Sequence, residues 1–192
     1  MKKNIILAGV GGQGILSIAT VIGEAALNNG LFLKQAEVHG MSQRGGDVQS
    51  HLRLSSETIY SDLIEKGDAD IIISLEPLEA LRYISYLKPN GWIVTSSVPF
   101  VNIPNYPDIE EVLTHIRAHK NHVLLDVSTI AKEVGAPAQA SNMVLLGAAI
   151  PFLGLEHETI IDGVRRVFAR KGETIVNSNI AAIEGGYHVS AK

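Results

Sequence analysis

The feature that most restricts this chain lies at its start. Asn4 to Ala8 is a short run, apolar from Ile5 onward, that ends in Gly9-Val10-Gly11-Gly12-Gln13-Gly14. The residues that follow (Ile15, Leu16, Ile18, Ala19, Val21, Ile22, Ala25, Ala26 and Leu27) are apolar on almost every helical face. So short an apolar run reads as a strand buried on both sides, and a helix apolar all round reads as one packed between other elements. A buried strand, a glycine turn and a buried helix in succession predict a parallel α/β sheet. Asn28-Asn29-Gly30 supplies residues that tolerate left-handed backbone where the helix must stop, and Leu31 to Val38 returns as a second strand, completing a βαβ unit.

The pattern changes at Val48. Val48, Ser50, Leu52 and Leu54 alternate with Gln49, His51 and Arg53, and Ser55-Ser56-Glu57 then leads into Thr58 to Ser61, so an antiparallel hairpin is expected here. Asp70 to Leu75 is again a continuous apolar strand. Ala80, Tyr83, Ile84 and Leu87 follow at helical spacing, with Pro89-Asn90-Gly91 expected to end that helix before a strand over Trp92 to Ser96. Val98 to Pro107 carries three prolines and reads as a loop. Asp108 and Glu111 have capping-box spacing ahead of the stripe Ile109, Val112, Leu113 and Ile116. His122 to Val127 is the next strand. A short helix near Ser128 to Val134, the break at Pro137, an apolar helix from Asn142 and an amphipathic one with Ile160, Val164 and Val167 make the last quarter helical. The architecture that fits is α/β: a doubly wound, mainly parallel open sheet, Rossmann-like, with one antiparallel hairpin excursion and a helical C-terminal part.

Composition narrows the function. The 192 residues, 46% of them hydrophobic, contain no repeat, low-complexity tract or long linker, so residues 1–192 are expected to form a single domain. Sixteen Lys and Arg against 20 Asp and Glu leave a formal charge of −4, so no bulk positive field is present for nucleic acid or an anionic membrane. There is no cysteine, which removes disulfides, thiolate zinc sites and every cysteine-ligated iron–sulfur cluster from this chain. The N-terminal apolar run is broken at once by glycines, unlike a signal peptide, and Met143 to Leu155 is interrupted by Gly147, Pro151 and Gly154 and too short to span a membrane. A cytoplasmic protein is expected.

Gly9, Gly11 and Gly14 satisfy G-x-G-x-x-G between a predicted strand and a predicted helix, where backbone amides and the positive end of the helix dipole can bind a phosphate. The same glycines also allow a helix to pack close to a sheet with no ligand at all, and Gln13 puts a bulky polar side chain at the mouth. Glu37, about 23 residues beyond Gly14, stands near the position expected of a ribose-binding acid, which keeps a free-standing NAD(P)-binding oxidoreductase open as an alternative. Against it stands His39-Gly40-Met41-Ser42-Gln43-Arg44-Gly45-Gly46-Asp47, which no dinucleotide pattern requires. There Arg44 sits beside two glycines able to adopt positive φ, so that a guanidinium and backbone donors can converge on a carboxylate, a phosphate or a neighbouring chain. This loop should lie on the same sheet edge as Gly11 to Gly14. His115, His119 and His122 lack the supporting carboxylates of a metal site and read as a solvated helix end. Asp126 and Ser128 read as a helix cap.

Gly9-Val10-Gly11-Gly12-Gln13-Gly14-Ile15-Leu16-Ser17, then Gln43-Arg44-Gly45-Gly46, then Ser141-Asn142-Met143-Val144-Leu145-Leu146-Gly147-Ala148 together resemble the gamma domain of 2-oxoacid:ferredoxin oxidoreductases, most closely the small (beta) subunit of the indolepyruvate type. The resemblance runs from the first strand to at least Ala149. It implies a heteromeric enzyme that converts a 2-oxoacid and coenzyme A to an acyl-CoA and CO2, using thiamine diphosphate with Mg²⁺, and iron–sulfur clusters that pass electrons to ferredoxin. This chain has neither cysteines nor a G-D-G element followed by paired asparagines, so the resemblance assigns those cofactors to a larger partner subunit. It leaves this chain a non-catalytic role, with no catalytic residue. Carried over by position, Gly9, Gly11, Gly12, Gln13 and Gly14 become candidates for a phosphate-bearing ligand such as coenzyme A. Ser42, Gln43, Arg44, Gly45 and Gly46 become candidates for partner or anion contact. Asn142 matches the family's Asn before a Leu-Gly-Ala helix, though it equally suits a plain N-cap. A homodimer is expected if the chain is isolated from its partner.

Overall fold

A computed structural model describes residues 1–39, 45–101 and 103–191, the side chain of His39 excepted. One sheet of six strands has the order β2-β3-β1-β4-β5-β6, with β1 Lys2–Val10, β2 Phe32–His39, β3 Asp47–Ser55, β4 Ala69–Ser74, β5 Leu87–Ser96 and β6 His122–Leu125. β1, β4, β5 and β6 are parallel, whereas β3 runs antiparallel to both its neighbours. The helices are α1 Ile15–Asn28, α2 Pro77–Arg82, α3 Ile109–Arg117, α4 Val127–Glu133, α5 Ser141–Leu153, α6 His157–Phe168 and α7 Glu173–Ser190. The doubly wound α/β architecture read from the sequence is the one observed.

Strand alternation explains the two layers. Ile5, Leu7, Ile71, Ile73 and Val94 face one core with α1, α4, α5, α6 and α7, while Ile6, Ala8, Ile72 and Ile93 face a smaller one with α2 and α3. All nine are fully buried. Each large aliphatic side chain among them contributes about 1.5–3 kcal/mol relative to exposure, which is why the continuous apolar runs become central strands. α5 lies against α7 at very close range: a Cβ added at Gly147 would fall 2.0 Å from the Ile183 carbonyl oxygen, and one at Gly186 would fall 1.9 Å from that of Val144.

β2 returns parallel to β1, as the βαβ reading expects, with β3 inserted between the two strands. Two expectations are corrected. Thr58 to Ser61 is not the second arm of a hairpin: both edges of β3 are already occupied, by β1 and β2, and the segment is held instead by Arg53, whose Nη1 donates to the carbonyls of Ser61 and Leu63, both at 2.9 Å. The helix expected to reach Leu87 stops at Arg82, and a 3-10 turn over Ile84–Tyr86 leads directly into β5. Pro89-Asn90-Gly91 therefore sits inside that strand, where a register shift between Ala69 and Ile71 absorbs it.

Candidate functional site

From β1 the chain winds through α1 towards β2, and from β4 it winds through α2 towards β5, with the two helices on opposite faces. The crevice between the C-terminal ends of β1 and β4 is thus the topological switch point, where open α/β sheets bind ligands. The glycine segment occupies it. Gly12 and Gly14 have φ of 102° and 85°, and Gly14 is the cap residue from which α1 starts. Only glycine adopts these angles without strain.

Both conspicuous glycine runs meet here. The Gly11 amide donates to the Gly46 carbonyl at 2.8 Å, and the Gly45 amide donates to the Gly11 carbonyl at 3.4 Å. Gly45 and Gly46 therefore lie on the edge expected of them, while Ser42, Gln43 and Arg44 fall outside the described residues. Gln13 does not stand free at the mouth. Its Oε1 accepts from the Val10 amide at 2.7 Å and its Nε2 donates to the Leu75 carbonyl at 3.3 Å, so the side chain latches the end of β1 to the end of β4. Gly9 is buried beneath it: an added Cβ would lie 3.0 Å from Gln13 Oε1 and from Ile15 Cγ1.

Asn142 is not an N-cap. It is the second residue of α5, which starts after Ala140 with no side-chain cap, and it reaches across the crevice so that Nδ2 donates to the Gly14 carbonyl at 3.0 Å. Its Oδ1 is buried without a hydrogen-bond partner among the described residues. Glycine loop and α5 are thereby joined across 128 positions of sequence.

Two clefts flank the loop. One of about 340 Å³ is apolar, with Val10, Ile15, Leu16 and Val48 in its wall. The other, of about 390 Å³, is the more polar of the two, with Ser17, Ser96, Ser128, Ser141 and Asn142 beside Leu75, Val98 and Phe100. α1 and α5 both begin at the polar cleft, neither with a side-chain cap nor with an acidic residue in its first turn. The positive end of α1 suits an anionic group, whereas α5 continues from the 3-10 turn Ala138–Ala140 and the Ser141 amide and hydroxyl are given to the Ala138 carbonyl. α4 starts there too but is capped, as expected, by Asp126, which accepts from the amides of Ser128 and Thr129 and from the Thr129 hydroxyl. These bonds hold the Asp126 carboxyl below its ordinary range.

A set of charged groups on the same edge escaped the sequence reading. Glu76, almost fully buried, caps α2 by accepting from the Glu79 amide at 2.8 Å, and also accepts from the Tyr106 hydroxyl and, at 3.4 Å, the Phe100 amide. It thereby pins the proline-rich segment that walls the polar cleft. Buried Glu79 pairs twice with Arg82, at 2.8 and 3.2 Å, and the Tyr83 hydroxyl donates to Asp47 at 3.3 Å. Burial raises the Glu79 carboxyl, opposed by Arg82, and burial together with the nearby carboxylates pushes the phenols of Tyr83 and Tyr106 up, so both remain donors. The available signal was Glu76-Pro77, an acceptor just before a proline at the end of an apolar strand.

Glu37 is displaced from any nucleotide role at this crevice. It lies on the edge strand, its carboxylate accepts from Gln35 Nε2 at 2.6 Å, and β3 separates it from β1 by two strand spacings, roughly 10 Å. Of the three clustered histidines, His115 and His122 each bond a backbone carbonyl through Nδ1.

The fold is shared with gamma subunits of oxoacid oxidoreductases. The structure covers 98% of itself and 98% of the gamma subunit of a keto/oxoacid ferredoxin oxidoreductase from Geobacter sulfurreducens, with a TM-score of 0.73 and 23% identity. It also covers 99% of itself and 31% of a chain of the Magnetococcus marinus 2-oxoglutarate:ferredoxin oxidoreductase, solved with 2-oxoglutarate, coenzyme A and succinyl-CoA bound, with a TM-score of 0.76 and 23% identity. In sequence, residues 4–189 match the pyruvate ferredoxin/flavodoxin oxidoreductase family, and the chain belongs to that family. It is 34% identical over 200 residues to indolepyruvate oxidoreductase subunit IorB of Archaeoglobus fulgidus, covering 98% of this chain and 95% of that protein. It is 41% identical over 157 residues to its namesake from Pyrococcus horikoshii, covering 77% of each.

Proposed function

We propose that this chain is the small, non-catalytic subunit of an indolepyruvate-type 2-oxoacid:ferredoxin oxidoreductase, an enzyme that converts a 2-oxoacid and coenzyme A to an acyl-CoA and CO2 and passes the electrons to ferredoxin in the cytoplasm. The observation that carries the reading is the nearly end-to-end correspondence with small subunits of that name. The residues present do not fit the redox and thiamine groups of such an enzyme. The chain has no cysteine, and among the described residues no three His, Asp or Glu side chains gather as a metal site. Thiamine diphosphate, Mg²⁺ and the iron–sulfur clusters accordingly belong to a larger partner subunit in this reading.

Coenzyme A does find fitting groups. The uncapped start of α1, with the backbone of Gly12 and Gly14, offers donors and a positive potential to a phosphate in the polar cleft, beside Asn142, whose Nδ2 donates to the Gly14 carbonyl. Gly45 and Gly46 lie against the same loop, and in this reading the run Ser42-Gln43-Arg44-Gly45-Gly46 contacts the partner or an anion. Anaerobic co-purification with the larger subunit tests the assignment: a brown, thiamine-containing complex supports it, and a colourless single species that binds NAD(P)H refutes it. Arg44→Ala should weaken that co-purification; normal assembly with altered coenzyme A kinetics would instead place Arg44 at the ligand.

A further inference from the structure

The two edges of the sheet are unlike. β6 is a four-residue edge, whereas β2 has eight residues paired to β3 without a bulge, from Phe32 opposite Ser55 to His39 opposite Val48. Native sheets blunt such edges with proline, bulges, charged side chains or short strands, because the outer amides and carbonyls can template another strand; of these devices β2 carries the charges of Lys34 and Glu37. β2 has no proline, and among the described residues no strand lies beyond it. Phe32 and Val38, at opposite ends of one strand face, are 50% and 52% exposed. Tyr60, 91% exposed, flanks that face, with its carbonyl 3.5 Å from Lys34 Nζ.

We propose that β2 of a second copy of this chain pairs antiparallel with this edge, about a two-fold axis at Gln35, joining the two sheets into one. Alternation restricts the register. In a continuous sheet, directly opposed residues point to the same side, so a two-fold must pass through a residue and its own mate. An axis at Lys34 or Glu37 sets like charges directly opposite, which is destabilising. One at Leu33 or Val38 pairs only the strand's end, and one at Ala36 carries Phe32 past the end of its partner. With the axis at Gln35, Phe32 meets Val38 of the second copy twice over, Lys34 meets Ala36, and Leu33 meets Glu37. Neutral amides flank the axis, and the two Lys34 side chains fall on a diagonal, roughly 7–8 Å apart at the backbone. The strand is self-complementary in this register, and this complementarity favours a second copy over an unrelated strand.

The absence of native cysteine makes the test clean. In Gln35→Cys the two new thiols would sit on strands whose opposed Cα atoms are about 4.5–5.5 Å apart, inside the span of a disulfide. Mild oxidation of the full chain should therefore give a covalent dimer. Lys34→Cys should give far less. Phe32→Cys mixed with Val38→Cys should link the two variants to each other in preference to themselves. Phe32→Lys should raise the dimer dissociation constant in sedimentation velocity at least tenfold without changing far-UV circular dichroism. A chain that stays monomeric at the highest attainable concentration overturns the proposal. So does a dimer in which the Gln35→Cys thiols stay reduced, or protection of that thiol only when a larger subunit is bound, which would give the edge to that subunit.

Discussion

The approach of α5 to α7 gives a sharp prediction, because glycine to alanine inside a helix ordinarily stabilises. Alanine exceeds glycine by about 0.8–1.0 kcal/mol in helix propensity. At Gly147 the new Cβ would lie 2.0 Å from the Ile183 oxygen, 2.8 Å from its carbonyl carbon and 2.9 Å from its Cα. These are backbone atoms of another helix and cannot rotate away, so the helices must separate by about 1 Å, loosening fully buried Met143, Val144, Ala182 and Ile183. Overpacking typically costs about 1–3 kcal/mol, and a clash of backbone on Cβ belongs at the upper end. After the propensity gain, Gly147→Ala should lose about 2 kcal/mol, a fall in Tm of about 4–8 °C for a domain of this size. Gly23→Ala is the control: its Cβ meets the tip of Leu33 at 3.1 Å, a side chain that can yield, so its midpoint should stay level or rise. Urea and thermal unfolding of both variants decide it. A Gly147→Ala midpoint at or above wild type would falsify the packing argument. The double variant with Gly186→Ala should lose less than the sum of the singles, since both relieve themselves by one separation.

Asn142→Ala should cost about 1 kcal/mol or less in stability, because the Gly14 carbonyl keeps the Ser17 amide as donor, yet it should raise the coenzyme A requirement of the assembled enzyme several-fold; an unchanged requirement removes Asn142 from the ligand. Glu76→Gln should lose about 1–3 kcal/mol in urea unfolding, since a carboxylate accepting on both oxygens is replaced by a group with one acceptor; a loss within error would show that the loop of Phe100 and Tyr106 is held by other contacts. His51, buried with Nδ1 accepting from the Ile64 amide, is depressed below 6.5 by burial and then by Arg53. The unfolded chain therefore binds the proton first, so this contribution is complete above about 6.5 and declines as pH falls from there to the folded value. His51→Gln should flatten that part of the stability profile, measured as urea midpoints between pH 7.5 and 5.5, and an unaltered slope would assign it to other groups.

Elements whose evidence is local were legible in the sequence. The apolar runs of β1 and β4, the glycine turn, the Asp108 and Asp126 caps and the stripe of α3 each depend on neighbours a few residues away, and each stands as read. What could not be read is which edge a strand occupies. The alternation of β3 says only that its two faces differ, and its neighbours, β1 and β2, are chosen by long-range pairing. Pro89-Asn90-Gly91 failed as a helix stop for a related reason: a bulge against β4 accommodates in a strand what would end a helix. At the site, the convergence of Gly11 with Gly46 follows from Val10 standing opposite Asp47, a register no local pattern reveals. The bond from Asn142 to Gly14 depends on where a helix from the far end of the chain comes to rest.

The inserted strand also explains why a familiar glycine pattern leads away from a dinucleotide. In a βαβ nucleotide fold the acid that binds ribose stands on the strand next to the glycine turn. Here β3 fills that place, moves Glu37 to the outer edge, and brings Gly45 and Gly46 against the loop in its stead. Gln13 closes the gap between β1 and β4 with its own amide. The start of α1 then borders both clefts, the more polar one through Gly12, Gly14 and Ser17 and the apolar one through Ile15 and Leu16 opposite Val48. A loop built in this way presents one face to the more polar cleft beside α5 and the other to the apolar cleft beside Val48.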